Sequence, residues 1–181
     1  EVDFNGSSRV VMGIDDSDFG WHLTPGEVFY SPEVVMVYSC EGLGGMSRTF
    51  HKLYNTNLVR GEWKNKKRPL LINNWEGTHM DFDDDKLLDI AKWAADIGIE
   101  MLVMDDGWFG DKYPRNNDRQ GLGDWCVDKT KLPNGVQGLI SAADSHGIKF
   151  GLWIEPEMVN TESELYEKHP DWVIKGLVHE T

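Results

Sequence analysis

From Pro69 onward the chain alternates between two hydrophobic periods, and this alternation restricts the folds open to it more than any other feature. Unbroken apolar runs at Leu70-Leu71-Ile72, Ile99 to Met104 and Ile148 to Ile154 read as strands buried on both faces. Between them the spacing becomes helical. Leu87, Leu88, Ile90, Ala91, Ala94 and Ala95 form one apolar stripe, introduced by the capping acids Asp83 to Asp85 and stopped at Gly98. Further helices are predicted over Val136 to Ser145, closed by His146-Gly147, and over Glu162 to Lys168, stopped by Pro170. Strand and helix in alternation predict a parallel α/β arrangement. Doubly wound sheets and barrels both begin this way. A barrel is favoured because no Gly-rich phosphate turn follows the first strand, and because each strand carries aromatic or acidic residues at its carboxyl end. A complete barrel needs eight such units, usually in about 250 residues. Three units in 181 residues, and an opening Glu1-Val2-Asp3 without Met, predict part of a longer protein.

The residues before Pro69 follow a different grammar. Arg9 to Gly13, Phe19 to Leu23, Val28 to Tyr30 and Val34 to Tyr38 read as short strands punctuated by Thr24-Pro25-Gly26-Glu27, Pro32 and Gly42-Leu43-Gly44-Gly45. They look like the edge of an antiparallel sandwich. Met46, Phe50, Leu53, Tyr54 and Leu58 then share one helical face. The expected organisation is the end of a β-sandwich domain over 1–45, a connecting helix and linker over 46–68, and the first βα units of a barrel over 69–181.

Lys and Arg total 18 against 31 Asp and Glu, a net charge of -13. That balance argues against nucleic acid and anionic membrane surfaces as partners. No apolar run reaches the roughly 18 to 20 residues of a membrane span, and no basic-then-apolar leader pattern opens the chain. Cys40 and Cys126 lie far apart, so neither a disulfide framework nor a zinc site is indicated, and a cytoplasmic location is expected. The histidines His51, His79, His146 and His169 lack metal-ligand spacing, and Asp81 to Asp85 lacks the calcium-loop pattern. No metal or cofactor is implied.

The strand ends hold the candidate chemistry. Asp105-Asp106-Gly107-Trp108 follows the second strand, Trp75 the first, and Trp153 closes the third near Glu155-Pro156-Glu157. Paired carboxylates accept hydrogen bonds from neighbouring hydroxyls, and indole stacks on the apolar face of a pyranose, so a sugar is the expected ligand. Adjacent strand residues point to opposite faces, which makes Asp105 and Asp106 a poor catalytic pair across one glycosidic bond. From residue types alone, Asp106 with Glu155 is the first choice for a hydrolytic pair, since the two carboxyl groups come from different strands. A structural role for Glu155 beside Pro156 fits equally well. Asp124 reads as a capping or loop-ordering residue.

Several motifs agree in order and interval: Arg68-Pro69-Leu70-Leu71-Ile72-Asn73-Asn74-Trp75-Glu76, Met104 to Gly110, Leu122-Gly123-Asp124-Trp125, Lys131-Leu132-Pro133-Asn134-Gly135, Lys149 to Met158 and His169-Pro170-Asp171-Trp172-Val173. With them the chain resembles the bacterial α-galactosidases, or melibiases, of glycoside hydrolase family 36. The resemblance implies a (β/α)8 TIM barrel behind a β-sandwich domain, retaining hydrolysis of terminal α-galactose from melibiose and raffinose, and a homo-oligomeric full-length protein. It implies that Asp105 and Asp106 hold galactose hydroxyls, that Trp153 lines the galactose subsite and that Trp75 stands at its wall. It also implies that the nucleophile, in a Lys-Trp-Asp motif, and the acid/base lie C-terminal to Thr181, so the Asp106–Glu155 pair gives way. The same clan holds α-N-acetylgalactosaminidases and galactosyl-transferring synthases. The 181-residue chain alone is expected to be catalytically silent. The loop Phe109 to Leu122, with Tyr113-Pro114-Arg115, is longer than the family pattern and bears on the entrance for the aglycone, while Val173 to Thr181 drifts from the pattern.

Overall fold

A computed structural model describes residues 2–174 except Asp16 and Asp18; the drifting tail from Lys175 lies outside the described residues. The chain divides into two compact units, Glu1–Lys66 and Lys67–Thr181. In the first, helix α1 (Gly42–Leu53) continues as one π-helical turn (Tyr54–Leu58), followed by a 3-10 turn (Glu62–Asn65). Of the five residues expected on one face, Met46, Phe50 and Leu53 are half-buried, while Tyr54 and Leu58, in the π-helical turn, are exposed. The Gly-rich tetrad expected to punctuate the chain instead supplies the first turn of α1.

The four short strands expected upstream of α1 do not form ladders. Among the described residues of this unit the sole β-pairing is an isolated bridge between Val2 and Ser8. The apolar pattern is present but no neighbouring strand accepts it, and Val10, Met36 and Tyr38 stay largely exposed. Pattern sets which face a strand would bury; a ladder also requires a partner. Phe19 and Trp21, two residues apart, both lie against Phe29 at ring separations of 5.7 and 5.0 Å, which is the alternation of extended backbone without its hydrogen bonds.

The second unit is built on a parallel sheet in the order β1 (Leu71–Asn73), β2 (Met101–Met104), β3 (Lys149–Leu152). Leu71 pairs with Met101 and Met101 with Lys149, so the strands end nearly level. On β2, Leu102 and Met104 are buried while Met101 and Val103 are half-buried, the period-two alternation of a strand with one fully covered face. That face is covered by α3 (Asp84–Asp96) and α4 (Gly135–Ser145). Leu87, Ala91 and Ala94 of α3 and Leu139 and Ala143 of α4 are buried. Between β1 and α3 stands one short helix, α2 (Trp75–Thr78).

The helix ends follow local chemistry. Asp83 accepts from the Lys86 amide at 2.9 Å as the N-cap of α3. Asn134, ahead of α4, makes no such cap; its amide donates to Asp84 Oδ2 at 3.1 Å and ties the starts of α3 and α4 together. Helix α5 (Glu164–Lys168) is capped by buried Ser163, whose Oγ accepts from the Tyr166 amide at 3.0 Å. Leu87 has no exposed surface. Leu87→Ala is expected to lower stability by about 2–5 kcal/mol, read as a reduced denaturant midpoint with unchanged slope.

Candidate active site at the strand ends

The polar residues after the three strands interlock. Asn74, 2% exposed, receives the Asp105 amide on its Oδ1 at 2.8 Å and donates through Nδ2 to Thr78 Oγ1 at 2.8 Å. Its neighbour Asn73 accepts from the Trp75 amide at 2.7 Å and donates to Asp105 Oδ2. Two asparagine side chains thus do the work of backbone where β1 stops, and turn the chain into α2. This starts a helix at Trp75, placing its indole at 4.9 Å edge-on to His79. His79 itself has φ 47°, a conformation that costs a non-glycine residue on the order of 1–3 kcal/mol and that recurs at functional sites.

The two aspartates part company. Asp105 is half-buried; it faces the end of β1 and also accepts from the Asp106 amide at 2.8 Å. Asp106 is 6% exposed and its carboxylate is forked by Arg115, with Nε at 3.0 and 3.1 Å and Nη2 at 2.8 Å. Its charge partner is Arg115, nine residues on in the following loop. Trp153 is half-buried, its amide donating to the Met104 carbonyl at 2.9 Å and its carbonyl accepting from Trp108 Nε1 at 3.0 Å. Its ring lies parallel to buried Phe109 at 6.5 Å and edge-on to Trp125 at 6.3 Å.

The loop between Phe109 and Leu122 is folded tightly. A Cβ on Gly110 would overlap the Tyr113 carbonyl oxygen, and one on Gly121 would reach the same atom at 2.8 Å. Lys112 and Tyr113 clamp Glu167 of α5, at 2.7 Å to each carboxylate oxygen and 2.6 Å from the phenol. The Lys112 and Tyr113 hydrogen bonds hold the Glu167 carboxyl below its ordinary value, and Glu167 holds the Lys112 ammonium and the Tyr113 phenol above theirs. Asp124 caps α5 from a distance, accepting the Glu164 and Leu165 amides at 2.8 and 3.0 Å, the loop-ordering role its position suggests. Lys131 donates to the carbonyls of Met80 and Gly107, both at 2.8 Å, and burial pushes its ammonium below the ordinary value.

Beside this cluster opens a polar cleft of about 600 Å³ whose lining includes Trp75, His79, Asp81, Asn116, Asn117 and Asp118. Of the four residues expected to bind sugar, Trp75 lines it; Asp105, Asp106 and Trp153 do not. A second hollow of about 390 Å³, around Trp125, Glu157, Met158 and His169, includes none of the four. Among the described residues no three His, Cys, Asp or Glu side chains converge as a metal site would, and no helix is long and apolar enough to cross a membrane. Sequence reasoning missed Asn73, Asn74, Arg115 and Asn160. The signal for the first two is their position, a polar pair after β1 matching the aspartate pair after β2.

The melibiase family matches residues 28–180. The chain belongs to that family. It is similar to α-galactosidase AgaA of Geobacillus stearothermophilus, with 56% identity over 174 residues covering 96% of this chain and 24% of that protein. It is also similar to α-galactosidase C of Emericella nidulans, with 44% identity over 177 residues covering 93% and 24%. The solved structure of glycoside hydrolase family 36 AgaA superimposes with a TM-score of 0.87 at 55% identity, covering 98% of this chain and 24% of that one. A variant of AgaA in complex with raffinose matches at 0.87 and 54% identity, with the same coverage. This melibiase-family chain therefore spans about a quarter of the length of these relatives.

The Glu167 clamp has a defined pH window. Its carboxylate contribution is present above the ordinary value of 4.5 and is lost as pH falls through the lower folded value. The Lys112 contribution is complete below 10.5 and is lost as pH rises through the higher folded value. In the intact protein, amide exchange across Asp111 to Arg119, corrected for intrinsic rate, is expected to accelerate on acidification below 4.5. Glu167→Gln is expected to remove that acid step.

Proposed function

We propose that this chain is the part of a retaining α-galactosidase that grips the terminal galactose. The single observation that carries the reading is the strand-end constellation of Trp75, Asp105, Asp106 and Trp153, held in a chain of the melibiase family at 56% identity to an α-galactosidase. Two carboxylates offer acceptors to neighbouring hydroxyls, and two indoles offer apolar faces to a pyranose ring.

On this reading the sheet β1-β2-β3 opens a (β/α)8 barrel, the residues ahead of α1 close a β-sandwich domain, and the chemistry sits on the carboxyl ends of the strands. The level ends of the strands and the segregation of aspartate, asparagine and tryptophan to those ends support it. Hydrolysis proceeds by double displacement through an oxocarbenium-like transition state. The nucleophile and the acid/base are supplied by residues C-terminal to Thr181, in keeping with a chain that spans a quarter of its relatives and contains no Lys-Trp-Asp. Substrates are galactose-terminated oligosaccharides of the raffinose type, and the intact protein is a cytoplasmic homo-oligomer.

The test is kinetic. The intact protein carrying this chain is expected to hydrolyse p-nitrophenyl α-galactoside with a higher kcat/KM than the N-acetylgalactosaminide; an equal or reversed preference sinks the galactosidase reading. Asp105→Asn and Asp106→Asn should each lower kcat/KM by the roughly 1.5–3 kcal/mol of a hydrogen bond to a charged group, with stability checked separately by calorimetry.

A further inference from the structure

Arg115 is 4% exposed, and every polar edge of its guanidinium is occupied. Nε and Nη2 take Asp106, Nη2 also reaches Asp118 Oδ1 at 3.4 Å, and Nη1 donates to the carbonyls of Asn117 and Gln120 at 3.0 Å and to Asn160 Oδ1 at 3.3 Å. Asn160 is held in turn. Its Oδ1 also accepts the Leu122 amide at 2.9 Å, and its Nδ2 donates to the Asp118 carbonyl at 3.1 Å. The guanidinium is therefore fixed from three directions, by β2's end, by its own loop and by the segment ahead of α5.

A buried ion pair is a poor way to gain stability, because desolvating both charges offsets most of their attraction. What a planar fork does supply is direction: two parallel N–H bonds fix the plane of a carboxylate, which a single ammonium does not. Asp106 has four acceptor sites on its two oxygens. Arg115 engages them through two N–H groups, Nη2 on Oδ2 and Nε shared between both oxygens, which leaves acceptor capacity at Oδ1 in a plane set by the fork. The same guanidinium anchors Asn117 and Asp118, which line the cleft beside Trp75.

We propose that Arg115 is a positioning residue for substrate recognition, which aims the remaining acceptor of Asp106 at the sugar. The inference rests on the reading that Asp106 binds galactose. Arg115 does not touch the sugar; it acts through Asp106.

The experiment is a double-mutant cycle in the intact protein, with Arg115→Lys, Asp106→Asn and the double variant assayed on p-nitrophenyl α-galactoside while folding is followed by calorimetry. Arg115→Lys keeps the charge and loses the fork, and is expected to raise KM by about tenfold or more with a smaller change in kcat. In the Asp106→Asn background the same substitution is expected to cost less than about threefold, because its route to substrate is already gone. Equal losses in both backgrounds, or a KM for Arg115→Lys within about threefold of wild type, overturn the proposal. Where Arg115→Lys does not fold, Asn160→Ala, which removes a prop and leaves the fork, is expected to raise KM about two- to fivefold, and an unchanged KM overturns the proposal. An inactive wild type would refute the galactosidase reading itself. An active wild type indifferent to Asp106→Asn would refute the sugar-binding role of Asp106, and one sensitive at Asp106 but indifferent at Arg115 would refute this inference alone.

Discussion

The buried contact between Arg115 and Asp106 is the constraint around which the carboxyl face of the sheet is organised, with the two side chains only 5% and 8% exposed. Neither charge tolerates burial alone, and removing one partner of such a pair costs about 3–5 kcal/mol. With the long loop seated at the end of β2, each buried charge has the other as its partner. In the seated loop Gly110 and Gly121 pass close to the Tyr113 carbonyl, and Lys112 and Tyr113 reach Glu167. A loop that composition alone marks as polar and irregular is in this way as determined as a helix.

The aromatic cluster beneath the site has a similar logic. Trp108 and Phe109 are buried while Trp125 and Trp153 pack on them from the half-buried side. The indole nitrogen of Trp108 is satisfied by the Trp153 carbonyl, so the ring can sit in the core without an orphaned donor. Trp153 is thus half-buried, held by the core cluster through its ring and its backbone.

What was legible in the sequence was local or periodic. The Asp83 cap, the stripe of Leu87, Ala91 and Ala94, and the alternation of Leu102 and Met104 need no knowledge of distant residues, and the parallel strand–helix order follows from them. The family resemblance was legible because its motifs are contiguous runs of sequence, read in order without knowledge of their contacts. The Arg115 fork, the Asn160 bridge to Leu122 and the Asn74 bond to Asp105 were not legible, because their partners are set by the path of a loop or by the register of two strands. The strands expected before α1 show the opposite error. Their apolar spacing is real, but pairing is a property of two segments and cannot be read from one. That a strand-end aspartate can enter a loop salt bridge is foreseeable from its residue type; that its partner is the arginine nine positions on is set by the path of the loop.

The remote capping of α5 by Asp124 makes this helix depend on a distant part of the chain. A five-residue helix is far below the length that persists alone in water, and its first amides are satisfied by a carboxylate 40 residues earlier in the chain. Helix α5 therefore takes its N-terminal satisfaction from two sources, Ser163 beside it and Asp124 in the Leu122–Trp125 segment. The short helix carrying Glu167 is in this sense a dependent element, its start held by Asp124 and its end by Lys112 and Tyr113.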